Sequence, residues 1–369
     1  MSTTVLPVKP VDTVDKSVLP TGLLTPFHEV RESKWDEASG TGRIVTVRKN
    51  RFDDWFYACH FLTDPVMPGC WGLDAVWQTL RHFAGQRGLP ACKPLGMEGV
   101  SFFGQIRPYD KEVVYTVDIL SLEKDGADFL LTGKATVTVD GVPVYSIDSA
   151  QVGTAFWESD GAAAPALPPA RADAYTAPLT WAQFKSAASF SAPEIVAMSR
   201  GSLVSDAPNE MPLLPDSLML EVGAVRRITA EPAELLATRA NAPTEWFFSM
   251  NGGVKPAALL VDGVWQLTGV YHAWSGSAGT GRALGFERVE FHGDVSPNDG
   301  DIVYHVRIVK TFRAPTGDMF IRADAEVYAG ARKVMTIVNA NVGCHKNIRY
   351  ADYPLASAMS TGGKLKIKE

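Results

Sequence analysis

The sequence predicts an α+β protein in which one structural unit is used twice. Three observations carry that reading. Long segments alternate apolar and polar residues at the two-residue period of half-buried strands. One stretch places its apolar residues at helical spacing. The second half of the chain then repeats the layout of the first. At 369 residues the chain exceeds most single cores and fits two domains or one doubled domain.

Residues 1–30 hold several prolines and little periodicity, which predicts an extended arm. From Arg43 to Arg48 (RIVTVR) strict alternation predicts a strand with one buried face. The aromatic-rich Asp53–Cys59 (DDWFYAC) leads into the stretch the unit is organised around, His60 to Gln78, HFLTDPVMPGCWGLDAVWQ. This stretch sets a histidine, a Pro-Gly loop and the start of a helix in succession. In that helix Leu73, Val76, Trp77, Leu80 and Phe83 form one apolar stripe, with Asp74 and Gln78 beside it. Alternating segments follow at Val100–Phe103, Glu112–Leu120, Phe129–Asp140 and Val144–Val152, and Asp140-Gly141 is a hairpin turn signal. One long helix followed by antiparallel strands predicts a sheet wrapped around a helix. Residues 158–172 are rich in alanine and proline and read as linker. Ser191-Ala-Pro-Glu194 has the form of a capping box that opens a short helix.

Setting Asp262 under Asp74 (262 − 74 = 188) aligns the two halves without gaps from His60/Phe248 to Gln78/Gln266. Val66/Val254, Pro68/Pro256, Trp77/Trp265 and Gln78/Gln266 are identical across that register. After one inserted residue, Gly104 and Pro108 fall over Gly293 and Pro297. The chain therefore reads as a tandem duplication whose pseudo-two-fold mimics a homodimer. The predicted division is an arm (1–30), repeat 1 (31–157), a linker with a short helix (158–215), repeat 2 (216–350) and a C-terminal tail (351–369). The copies differ at one telling place: repeat 2 has Phe248 where repeat 1 has His60, yet it keeps the aspartate.

Composition narrows the function classes. A net charge of −6 gives no global signal for nucleic acid, and no apolar run approaches the ~18 residues of a membrane span. Cys59, Cys70, Cys92 and Cys344 lack zinc or redox spacing, and no apolar leader is evident, so a reduced, cytoplasmic setting is expected. The Gly279-Thr-Gly281 pair lacks the spacing of a dinucleotide loop, and neither HExxH nor GxSxG occurs. No cofactor and no metal is called for.

HFLTDPVMPGCWGLDAVWQ closely resembles the signature of the β-hydroxydecanoyl-acyl-carrier-protein dehydratase family, which has the hotdog fold. Gly281-Arg-Ala-Leu-Gly285 with the VEFHGDVSP that follows resembles the segment after the central helix in the same family. The tandem arrangement resembles the double-hotdog dehydratase regions of polyunsaturated fatty acid and polyketide synthases. The resemblance implies sites at the interface of two hotdogs, with the histidine from one and the carboxylate from the central helix of the other. His60 would then work with Asp262, while Asp74 and Phe248 would form a vestigial site. It also implies that Gln266 orients the carboxyl, that Gly69 supplies a backbone N–H to the thioester carbonyl, and that the Val66 carbonyl holds the histidine. Cys70, also at the helix start, is the alternative N–H donor.

The chemistry suits those residue types. Dehydration of a 3-hydroxyacyl thioester needs a base for the α-proton and an acid for the departing hydroxyl. A neutral imidazole can be the first, and a carboxyl kept protonated by burial can be the second. The expected partner is an acyl carrier protein, which is acidic, and Arg307, Lys310 and Arg313 of repeat 2 are the candidate docking cations. Three alternatives stay open: a bifunctional dehydratase/isomerase that gives a cis-alkene, a non-catalytic acyl-binding or scaffolding subunit, and, less favoured, a thioesterase. The expected assembly is a pseudo-dimeric monomer, with further pairing of whole chains left open.

Overall fold

A computed structural model describes residues 19–171 and 175–346, together with a two-residue strand pair at Ser360–Thr361 and Lys364–Leu365. Part of the expected arm and nearly all of the expected C-terminal tail lie outside the described residues.

Repeat 1 comprises β1 (Glu29–Asp36), β2 (Thr41–Lys49), α1 (Gly69–Gln86), β3 (Lys93–Phe102), β4 (Glu112–Asp125), β5 (Asp128–Val139) and β6 (Val142–Gly153). The alternation that predicts the strands is visible as burial: along β5, residues 129 to 139 are buried at every second position. At the β5–β6 hairpin Asp140 (φ 47°) and Gly141 (φ 85°) both take positive φ, as a tight primed turn requires. Between the repeats, capping boxes at Thr180 and Ser191 open α2 (Trp181–Ser186) and α3 (Ala192–Ser199). The second unit repeats the order with β7 (Ala224–Ala230), β8 (Ala233–Arg239), α4 (Ala257–Ser275), β9 (Thr280–Phe291), β10 (Ile302–Arg313), β11 (Met319–Ala329) and β12 (Arg332–His345).

The strands form one antiparallel sheet in the order β1-β2-β4-β5-β6-β3-β9-β12-β11-β10-β8-β7, which reads the same from either end once the repeats are exchanged. The halves join at β3 and β9, where Met97 pairs with Val289 and Ser101 with Gly285. Gly285 has φ 117°, and a Cβ there would strike the Val100 carbonyl, so this junction requires glycine. Each half wraps its central helix, and the chain is a double hotdog.

The predicted stripe of α1 is fully buried, but the helix is not amphipathic against water. Cys70, Asp74, Gln78 and Thr79 on its other sides are buried as well. The reason is the duplication: α1 packs on α4, so the face a lone unit would expose is covered by its twin. Two matching aromatic contacts span that interface, Phe102 with Trp265 at 5.6 Å and Trp77 with Phe291 at 5.4 Å. No helix among the described residues is long and apolar enough to cross a membrane.

Candidate active site

His60 leaves the short 3-10 turn Trp55–Ala58 and starts a loop whose ends are tied to each other. The Val66 N–H donates to the His60 carbonyl (2.9 Å), and the Val66 carbonyl lies 2.9 Å from His60 Nδ1. A carbonyl can only accept, so Nδ1 carries the proton and Nε2 keeps its lone pair. Burial lowers the imidazole pKa to about 4 against the Val66 contact, which raises it, and the charge of Arg282 adds to the lowering. The ring is therefore a neutral base at physiological pH. Met67 then donates to the Ile106 carbonyl (2.8 Å), and Pro68 leads into α1 at Gly69.

Asp262 is in the second turn of α4, 5% exposed, and the loss of water around it raises its pKa to about 7. The Gln266 amide and the Cys70 thiol oppose that rise, and the Glu221 carboxylate adds to it. Gln266 is held on three sides. Its Nε2 donates to Asp262 Oδ2 (2.6 Å) and to the Met219 carbonyl (2.7 Å), and its Oε1 accepts from the Glu221 N–H (2.8 Å). That fixes the carboxyl rotamer. Glu221 itself is fully buried and is neutralised by Lys255 at 2.7 Å, with Arg239 at 3.4 Å.

One cavity of about 800 Å³ between the repeats is lined by His60, Val66, Gly69, Asp262 and Gln266. Five of the predicted residues therefore converge although the sequence separates them by up to 206 positions (266 − 60). Cys70 does not line this space; it is buried behind it, against Asp262. At Gly69 the first helical N–H groups have no intrahelical acceptor and point outward from the helix start. A Cβ on Gly69 would come within 2.9 Å of the Phe102 ring. Gly69→Ala is accordingly expected to slow turnover about tenfold or more and to lower the melting temperature by a few degrees, measured on the purified chain. An unchanged rate would mean that the close approach at this position is dispensable.

Asp74 and Phe248 come out differently. Asp74 accepts from Gln78 at 3.1 Å and faces a second cavity on the opposite side of the helix pair. Phe248 is buried against Phe247 (4.7 Å) and does not line that cavity. Of the predicted docking cations, Arg307 is engaged with Glu326 at 2.9 Å, and Arg313 lies 3.5 Å from the Met319 sulfur. Lys310 is exposed on the part of β10 that runs past its pairing with β8.

Sequence reasoning missed three contributors. Pro212–Pro215 of the linker close one wall of the cavity, and the Asp216 N–H is bonded to the Cys59 carbonyl next to His60 (2.9 Å). The proline-rich spacing there signals only a turn. Arg282 of β9 reaches back to Asp64 in the histidine loop and to Gln105 (3.0 Å), locking that loop to the other repeat. Gly281-Arg282 was legible only as part of the repeat 2 resemblance. His272 also lines the cavity, but both its nitrogens are occupied, by Ser277 (2.9 Å) and the Val342 carbonyl (3.1 Å).

Among solved structures, the chain is similar to the dehydratase domain from the CurJ module of the curacin polyketide synthase. Identity is 13% over 87% of this chain and 97% of that one, with a TM-score of 0.50. It is also similar to a bifunctional dehydratase-cyclase domain from ambruticin biosynthesis, at 13% identity over 86% and 94% of the two chains and a TM-score of 0.48. A FabA-like domain profile matches residues 19–148 and again residues 211–338. The two matches take in both central helices and both walls of the cavity, and the chain belongs to the FabA-like domain family, with two copies of that domain in tandem.

Proposed function

We propose that the chain dehydrates 3-hydroxyacyl thioesters to 2-enoyl thioesters in fatty-acid or polyketide synthesis, at a single site built across the repeats. The observation that carries this reading is the state of the two groups in one cavity. A histidine with a free Nε2 is neutral there, and a carboxyl from the other repeat holds its proton to about pH 7. His60 Nε2 takes the C2 proton, and the C2–H electron pair becomes the C2=C3 double bond. The C3–O bond breaks, and Asp262 gives its proton to the departing hydroxyl, which leaves as water. The imidazolium and carboxylate left behind regain their starting states by proton exchange. Charge that builds on the thioester oxygen is met by the Gly69 N–H, with Cys70 beside it, at the positive end of α1.

The test is turnover of a 3-hydroxyacyl pantetheine thioester followed by mass spectrometry of the product. A 2-enoyl product supports dehydration, and a cis-3-enoyl product would extend the reading to the isomerising alternative. A chain that binds the thioester without changing it would be an acyl-binding subunit instead.

The natural form of the substrate would be carried on an acidic acyl carrier protein. The exposed end of β10 offers Lys310 and Arg313 next to the exposed side chains Val309 and Phe312, a surface with charge and apolar area for such a partner. Lys310→Glu with Arg313→Glu is expected to raise KM for carrier-bound substrate roughly tenfold, because rim charges mainly set the encounter rate. The pantetheine thioester should be turned over as before. Equal kinetics on both substrates would move the docking surface elsewhere.

A further inference from the structure

The pseudo-two-fold that builds the first cavity also builds a second, of about 880 Å³, on the Asp74 side of the helix pair. The duplication allows a position-by-position comparison. The Asp74–Gln78 pair stands where the first cavity has Asp262–Gln266, but the histidine is gone. Two other exchanges both add positive charge: Lys255 occupies the place of Met67, and Arg81 occupies that of Gly269. Lys93 keeps the cation that Arg282 supplies on the other side. Of these, Lys255 is buried and Arg81 half-buried, and charge taken out of water is costly unless it is compensated.

Two of the three cations are matched by carboxylates. Lys93 Nζ is 2.6 Å from Asp294, and Lys255 Nζ is 2.7 Å from Glu221. Arg81 is not matched in this way. It donates through Nη1 to Gln78 Oε1 (2.7 Å) and is hydrogen-bonded to the Cys92 thiol, with no carboxylate at ion-pair distance among the described residues. Asp74, on the same helix, accepts from the Gln78 amide and feels the charge of Arg81 without a direct ion pair. The remaining walls are largely apolar, with Val254, Leu260, Phe291 and Val295 contributing.

We propose that the second cavity is a binding site for a monocarboxylate with an apolar body, whose carboxylate is held by Arg81 and whose body lies along Leu260 and Phe291. A planar carboxylate matches the guanidinium fork of Arg81, which lines the cavity. A dianion such as phosphate suits the cavity less well, because Asp74 and Asp294 also line it and only one cation is without a carboxylate partner. This assignment does not depend on what the first cavity catalyses.

Calorimetric titration of the full chain with octanoate tests it, with octan-1-ol as the probe of equal body and no charge. Octanoate is expected to bind at least tenfold more tightly than octanol. Arg81→Gln should weaken octanoate at least tenfold and leave octanol unchanged, with a melting temperature within a few degrees of wild type. Leu260→Trp, which fills the cavity without touching the cation, should weaken both ligands and serves if Arg81→Gln fails to fold. The proposal is overturned if octanoate does not bind at millimolar concentration, if octanol binds as tightly, or if a folded Arg81→Gln chain binds octanoate like wild type.

Discussion

Replacing His60 by alanine is expected to slow dehydration of a 3-hydroxyacyl thioester by about 10²- to 10⁴-fold, the usual contribution of a positioned general base. The fall should appear in kcat, with KM changed little, because the imidazole acts on the proton in flight and not on the resting acyl chain. The fold should survive, since the loop keeps its backbone bond from the Val66 N–H to the His60 carbonyl and its tie through Asp64 to Arg282. Equal dehydration rates for wild type and His60→Ala would remove the enzyme reading and favour an acyl-binding subunit. The mutation tests chemistry in a way that resemblance cannot, because hotdog folds carry more than one activity.

The second large effect concerns the two aspartates, which sequence alone makes look equivalent. Asp262→Asn is expected to cost about 10²-fold or more, while Asp74→Asn should stay within about threefold of wild type. The pH profile gives the same contrast an independent readout. With His60 at about 4 and Asp262 at about 7, the rate should be flat between those values. It should fall below about pH 4 as the base protonates and above about pH 7 as the acid ionises. Asp262→Asn should abolish the upper fall.

Glu221→Gln removes a buried negative charge near Asp262 and leaves Lys255 positive, so the upper limb should move to lower pH. A limb that stays in place would assign the titration to another group. The stability linkage has the same sign. Asp262 has a folded pKa above its unfolded value of 3.8, so its contribution is complete below that value and is lost as pH rises through about 7.

Much of this architecture was legible in the residues, and the exceptions have physical reasons. The five stripe positions of α1, the Asp140-Gly141 turn and the Ser191 capping box are local signals, and each is realised locally. β1 was hidden because it is an edge strand, where only Val30 is buried and alternation has little to act on. The six residues of α2 are too few to show a period. The burial of the polar face of α1 could not be read from α1, because the element that covers it is 188 residues away.

The candidate site divides in the same way. His60, Gly69 and Val66 come from one contiguous signature, and Asp262 with Gln266 comes from its copy. The family resemblance implied the partnership, and the retention of Asp262 where its own repeat has lost the histidine fits it. Arg282–Asp64 spans 218 residues between two individually unremarkable polar side chains, and only the folded chain brings them together. Glu221 is similar. Nothing near it in sequence marks a buried carboxylate, and its role depends on Lys255 and Gln266 arriving from α4 and the loop before it.

The central claim is that one site is assembled from His60 of the first repeat and Asp262 of the second. Its most direct test is a crystal structure of the wild-type chain with a non-cleavable 3-hydroxyacyl pantetheine amide. The account predicts C2 of the ligand beside His60 Nε2, its hydroxyl within hydrogen-bond reach of Asp262, and its carbonyl oxygen at the Gly69 N–H. A ligand whose hydroxyl sits on Asp74, with the His60 cavity empty, would contradict it.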